Sequence, residues 1–140
     1  MSWMEERIAE SKRLEDAGRL VSQHAPVVYE NLWEEIKKLI AEAERHGLQV
    51  FTNGSPENRE LRLATKPTAA QHASTGKTVR LILSKDRKTI EAKGLDIRFG
   101  VGVCADGVVC LNFNDEDVSV QRAAEEIFDR FLFPDLPRRN

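Results

Sequence analysis

The sequence predicts an α+β domain, with an N-terminal helix kinked or split at Pro26, a meandering antiparallel sheet of about six strands and a C-terminal helix. The helices are expected mainly on one face of the sheet. Three observations predict this. Apolar residues recur every three or four positions from Val28 to Ala43, which is the spacing of one helix face. From Leu48 to Phe113 the period changes to two, interrupted by clusters of Gly, Pro, Asn and Asp, as in half-buried strands joined by turns. Helical spacing then returns from Val120 to Phe131.

The elements can be justified in order. Ser2 with Glu5 three residues on has the form of a capping box at a helix start. A thin apolar stripe follows through Met4, Ile8, Leu14, Ala17 and Val21, weakened by Gly18. Pro26 lacks an amide hydrogen, so it predicts a kink or the first turn of a second helix. Beyond it the stripe is dense: Val28, Tyr29, Leu32, Trp33, Ile36, Leu39, Ile40 and Ala43 share a face, and Arg45, His46 and Gly47 provide a stop.

The strand region is read by asking which loop lengths keep apolar residues on one face. Leu48 and Val50 lead into the turn cluster from Asn53 to Asn58, and Leu61 and Leu63 return. Val79, Leu81 and Leu83 form the next strand, and the loop Lys85-Asp86-Arg87-Lys88 sets Ile90 opposite Leu83 and Ala92 opposite Leu81. A two-residue Lys93-Gly94 turn would set Leu95 against Ala92 and Ile97 against Ile90. In the last hairpin a three-residue loop, Ala105-Asp106-Gly107, pairs Val103 with Val109 and Phe99 with Phe113, whereas a two-residue loop would turn the two apolar sets to opposite faces. Asp115 to Asp117 are expected to cap the final helix, whose stripe runs through Val120, Ala123, Ala124, Ile127, Phe128 and Phe131 to a stop at Pro134. This order of elements is similar to that of frataxin-like domains, a likeness of fold order that carries no functional residue.

Composition bounds the rest. A chain of 140 residues, 41% hydrophobic and 31% charged, suits a single globular domain over 1–140, large enough to bury a core without metals or disulfides. Within it, 1–25 is set apart as a partner-binding or dimerisation helix, 66–76 as a flexible loop and 134–140 as a tail. A net charge of −2, with Lys and Arg interleaved among Glu and Asp, argues against nucleic acid and against an anionic membrane surface as partners. The start of the chain is too charged for a secretory leader, no apolar run is long enough to span a membrane, and two cysteines make no disulfide framework. A cytoplasmic location is the expectation.

Several motifs invite chemistry and fail on their context. The run His72-Ala73-Ser74-Thr75-Gly76-Lys77-Thr78 ends like a phosphate-binding loop, but the position of its first glycine is Gln71 and a strand follows where a helix is required. Cys104 and Cys110 lack the neighbours of a four-ligand metal shell. They oppose Val108 and Gly102 respectively, so they sit diagonally and are expected as free thiols that only distortion would join. The run from Asn112 to Asp117 resembles the start of a calcium loop but lacks its glycine and final glutamate. His24, His46 and His72 have no nucleophile or carboxylate at a telling spacing. No metal, cofactor or catalytic residue is expected.

Two surfaces remain. The outer face of the last hairpin, Gly100, Gly102, Cys104, Val108, Cys110 and Asn112, is small where a solvated strand would carry Lys or Arg. The first helix carries Trp3, Met4 and Ile8 near its tip, and so thin a stripe is marginal unless something buries it. The expectation is a non-enzymatic protein-binding or adaptor module that forms a homodimer through one of these surfaces. The alternative is a small-molecule-binding protein or minor enzyme with a pocket between curved sheet and helices, lined by Tyr29, Trp33, Arg80 and Arg98.

Overall fold

The computed structural model describes residues 2–55, 58–64, 78–104, 107–134 and 136–137, excepting the side chains of 63 and 64. The expected loop at 66–76 lies outside the described residues, as does most of the expected tail. The first element, α1, runs without interruption over Trp3–Arg45. Ser2 caps it, its Oγ accepting from the Glu5 amide at 3.2 Å. Its far end closes in a Schellman arrangement, with the Leu48 amide on the Ala43 carbonyl and the Gly47 amide on that of Glu44, both at 3.0 Å. Gly47 takes the left-handed conformation (φ 84°) that this stop requires.

Pro26 does not split α1. A proline in a helix interior leaves the carbonyl four residues before it without a donor, here that of Ser22. Arg87 fills the vacancy, donating from Nη1 to the Ser22 carbonyl at 2.7 Å. The defect is thus repaired by a side chain from the sheet, which also ties that loop to the helix.

The sheet has seven strands in simple sequential order: β1 (Gln49–Ser55), β2 (Asn58–Ala64), β3 (Thr78–Leu83), β4 (Thr89–Lys93), β5 (Ile97–Val103), β6 (Val109–Phe113) and β7 (Glu116–Val118). Every neighbouring pair is antiparallel. β3 and β4 pair Leu81 with Ala92 and Leu83 with Ile90, as the loop length requires. β5 and β6 pair Val103 with Val109, and the Phe99 and Phe113 rings lie 5.2 Å apart on the core side. Gly107 (φ 82°) occupies the left-handed position of that loop, and its amide donates to the Cys104 carbonyl at 2.9 Å.

Three expectations need correction. β4 and β5 pair Ala92 with Ile97 and Ile90 with Phe99, not with Leu95 and Ile97. The shift is two residues, so every side chain keeps its face and the apolar pattern could not detect it. The chain from Asp115 to Asp117 is not a helix cap: Glu116–Val118 is a seventh strand, and Ser119 caps the final helix, its Oγ accepting from the Arg122 amide at 3.0 Å. Asn114 and Asp115, both left-handed (φ 53° and 65°), make the tight turn between β6 and β7. The two cysteines are not free; they form a disulfide.

The final helix, α2, spans Val120–Leu132. It packs beside α1 over one face of the sheet, burying Ala123, Ala124, Ile127, Phe128 and Phe131 against Leu32, Ile36, Phe99 and Leu111 in one continuous core. Among the described residues no charged side chain is buried with them, and Tyr29 brings a hydroxyl into the core.

Candidate functional site

The half of α1 beyond Val21 belongs to the core, with Leu32 and Ile36 fully buried and Trp33 8% exposed. The half before it is not buried against any described residue. Every described residue from Ser2 to Leu20 is exposed except Ala17, which is half-buried. Trp3 is 72% exposed and Leu14 66%, with Met4 and Ile8 more than half exposed. At 1.5 Å per residue this arm extends roughly 27 Å beyond the domain. Its surface pairs, Arg7 with Glu10 and Arg19 with Asp16, are solvated and contribute little to holding it. Met4 and Leu14 fall on the same side of the helix as Val21, Ala25 and Leu32, and Ile8 lies at its margin, so the buried stripe of the domain continues into solvent.

The outer face of the last hairpin does bring Gly100, Gly102, Cys104, Cys110 and Asn112 together, and the N-terminal helix does not cover it. Asn112 explains the first glycine. A Cβ on Gly100 would sit 2.4 Å from Asn112 Oδ1, so the side chain of one strand occupies the space the other leaves. A Cβ on Gly102 would meet Asn112 Nδ2 only at ordinary distance, 3.6 Å. Beside them Cys104 and Cys110 are bonded, with Cα atoms 6.0 Å apart. That separation lies within the range a disulfide spans, although the two positions are diagonal in the register. No helix of the described residues is long and apolar enough to cross a membrane.

The four residues proposed for a pocket between sheet and helices are not gathered into one. Tyr29 and Trp33 are buried under the helices, whereas Arg80 and Arg98 project from the opposite face of the sheet. Tyr29 has a structural task instead. Its hydroxyl donates to the Leu81 carbonyl at 2.6 Å, and the Arg59 backbone amide lies close enough to the phenol oxygen to lower its pKa. Arg59 and Leu81 are partners across β2 and β3, so the phenol bridges two strands from the helix. Burial raises the Tyr29 pKa, outweighing the Arg59 amide and guanidinium, which lower it. The Arg59 guanidinium lies over the Tyr29 ring at 5.5 Å and the Trp33 ring at 5.1 Å, and pairs with Glu30. Arg80 pairs across the outer face with Glu60 at 3.3 Å.

A groove that the sequence reading missed lies where the C-terminal turn of α1 meets α2. It encloses about 350 Å³ between Leu39, Ala43, Leu48, Phe128 and Leu132, with His46 on its rim. Its walls come from two helices far apart in sequence, and no local pattern announces them. Of the other histidines, His24 is exposed on α1 and His72 lies outside the described residues.

Comparison with protein-family models, with curated proteins and with solved structures yields no match in any of the three.

Proposed function

We propose that this protein is a non-enzymatic protein-binding module that self-associates through the free part of α1. One observation carries the reading: the apolar stripe that packs α1 on the sheet continues past Val21 through Leu14 and Ile8 to Met4 and Trp3, with no described residue burying it. An isolated helix of this length is marginal in water, so a helical arm is favoured when a partner buries its stripe. A second copy is the simplest such partner, because a two-fold arrangement lets each arm cover the other.

Light scattering over a concentration series tests this. The full chain is expected to be dimeric, and Ile8→Glu with Leu14→Glu to be monomeric with the same thermal unfolding of the domain. A full chain that stays monomeric at every concentration refutes the reading. A second reading, a small apolar ligand in the groove between α1 and α2, is favoured by the groove's volume and apolar walls. It predicts saturable binding of an apolar fluorescent probe that Leu132→Trp abolishes and the arm substitutions leave untouched.

A further inference from the structure

β7, the strand the sequence did not announce, brings a carboxylate to the disulfide. Asp117 pairs with Asn112 across β6 and β7, and Cys110 lies two residues before Asn112 on the same outer face. Both cysteine sulfurs and an Asp117 oxygen lie within 4.8 Å of one another. Ligand atoms on a tetrahedral zinc ion stand roughly 3.5–3.8 Å apart, given metal–sulfur distances near 2.3 Å and metal–oxygen distances near 2.1 Å. The Asp117 oxygen is therefore near that span from the sulfurs, and the sulfurs, now bonded to each other, have only to part once reduced. Asp117 has no hydrogen bond or ion pair among the described residues, so its carboxylate is uncommitted, and it is exposed, which leaves a way in. Gly102, directly opposite Cys110, adds no side chain that would block the approach.

We propose that reduction of the Cys104–Cys110 disulfide opens a site for a zinc-class divalent cation, held by the two cysteine sulfurs and Asp117 with a fourth position left to water. The disulfide itself cannot serve, because its sulfurs carry no thiolate charge. A dithiol reductant delivers two electrons and two protons: the S–S bond breaks, two thiols form on this chain, and the reductant leaves as its own disulfide. The cation then displaces both thiol protons into solvent, and the sulfurs separate from bonding distance to positions around the ion. Two sulfurs and one carboxylate favour a borderline-soft ion over calcium or magnesium, which take oxygen ligands. The hairpin is held in either state, by a covalent bond in one and by the ion in the other.

The test uses the full chain, oxidised and then reduced with a phosphine, which offers no competing thiolate, and titrated with cobalt(II) as a spectroscopic stand-in for zinc. The reduced chain is expected to keep cooperative unfolding and to develop thiolate-to-cobalt charge-transfer absorption that saturates at one equivalent and is displaced by zinc. The oxidised chain should give none. Asp117→Ala should weaken cobalt binding at least about tenfold while leaving the unfolding of the oxidised chain unchanged. The proposal is overturned if the reduced chain gives no such absorption, if it loses its fold on reduction, or if Asp117→Ala binds cobalt as tightly as the parent.

Discussion

Replacing Tyr29 with Phe removes one oxygen from the place where α1 is fastened to the sheet. The phenol sits at the Arg59–Leu81 pair, donating to the Leu81 carbonyl at 2.6 Å with the Arg59 amide beside its oxygen. A neutral hydrogen bond contributes roughly 0.5–1.5 kcal/mol net, and a buried polar group left without a partner costs about 1–3 kcal/mol. Tyr29→Phe should therefore lower stability by about 1.5–3 kcal/mol. For a domain of this size that is a fall of roughly 5–12 °C in Tm. Urea unfolding measures the loss as a shift in midpoint at constant slope.

The same residue predicts a pH dependence. Its folded pKa is raised above the ordinary 10.0, chiefly by burial. A raised folded pKa means that the unfolded chain gives up the phenol proton more readily. The stabilisation is fully present below 10.0 and is lost as pH rises through the folded value. The stability gap between parent and Tyr29→Phe should accordingly narrow in that alkaline window. Tyr29 is the single tyrosine of the chain, so phenolate absorbance reports on it alone. An unchanged urea midpoint in the variant, or a native phenol that titrates at or below 10.0, would refute the bridging role.

Three further outcomes are expected. Gly100→Val should cost about 1–3 kcal/mol by driving its Cβ into Asn112, and Asn112→Ala should recover most of that loss in a double-mutant cycle of urea midpoints; additive effects would contradict the packing described. Arg87→Met should destabilise by about 1–2 kcal/mol because the Ser22 carbonyl loses its donor, and the same change should cost much less on a Pro26→Ala background, where the helix supplies its own amide, as calorimetry would show. The Asp86 pKa is lowered from the ordinary 3.8 by hydrogen bonds from the Ser84 hydroxyl and then the Lys88 amide, so its contribution is present above 3.8 and lost as pH falls through the lower folded value. Carboxyl chemical shifts should place its titration below that of an unfolded peptide, and Ser84→Ala should move it back up.

Much of the fold was legible because loop length and apolar alternation constrain each other. Leu83 against Ile90 and Val103 against Val109 follow from keeping one face apolar. The same rule is blind to even-numbered slips, which is why Ile97 found Ala92 rather than Ile90. β7 was hidden by its composition, since Glu116 and Asp117 read as helix-capping carboxylates. The usable signal was Asn114-Asp115, two residues that tolerate the left-handed region side by side. Of the candidate surfaces, the exposed tip with Trp3, Met4 and Ile8 was visible as a thin stripe, and the small outer patch as a lack of Lys and Arg. The closure of Cys104 on Cys110 across diagonal positions and the seating of Arg59 on Tyr29 and Trp33 depend on how the strands and helix approach in space, which leaves no mark at the level of spacing.

The unbroken passage of α1 through Pro26 has a geometric consequence for the arm. With the helix unbroken between its anchored and free halves, the compass bearing of Met4 and Leu14 is counted out in residues. Each residue turns the helix by about 100° and advances it by about 1.5 Å. One extra residue between Leu14 and Val21 would swing the tip more than a quarter-turn around the axis while the domain stayed as it is. Seven would bring it back to nearly the same bearing, roughly 10 Å farther out. Aim and reach are thus set by arithmetic along the helix, separately from the fold that anchors it.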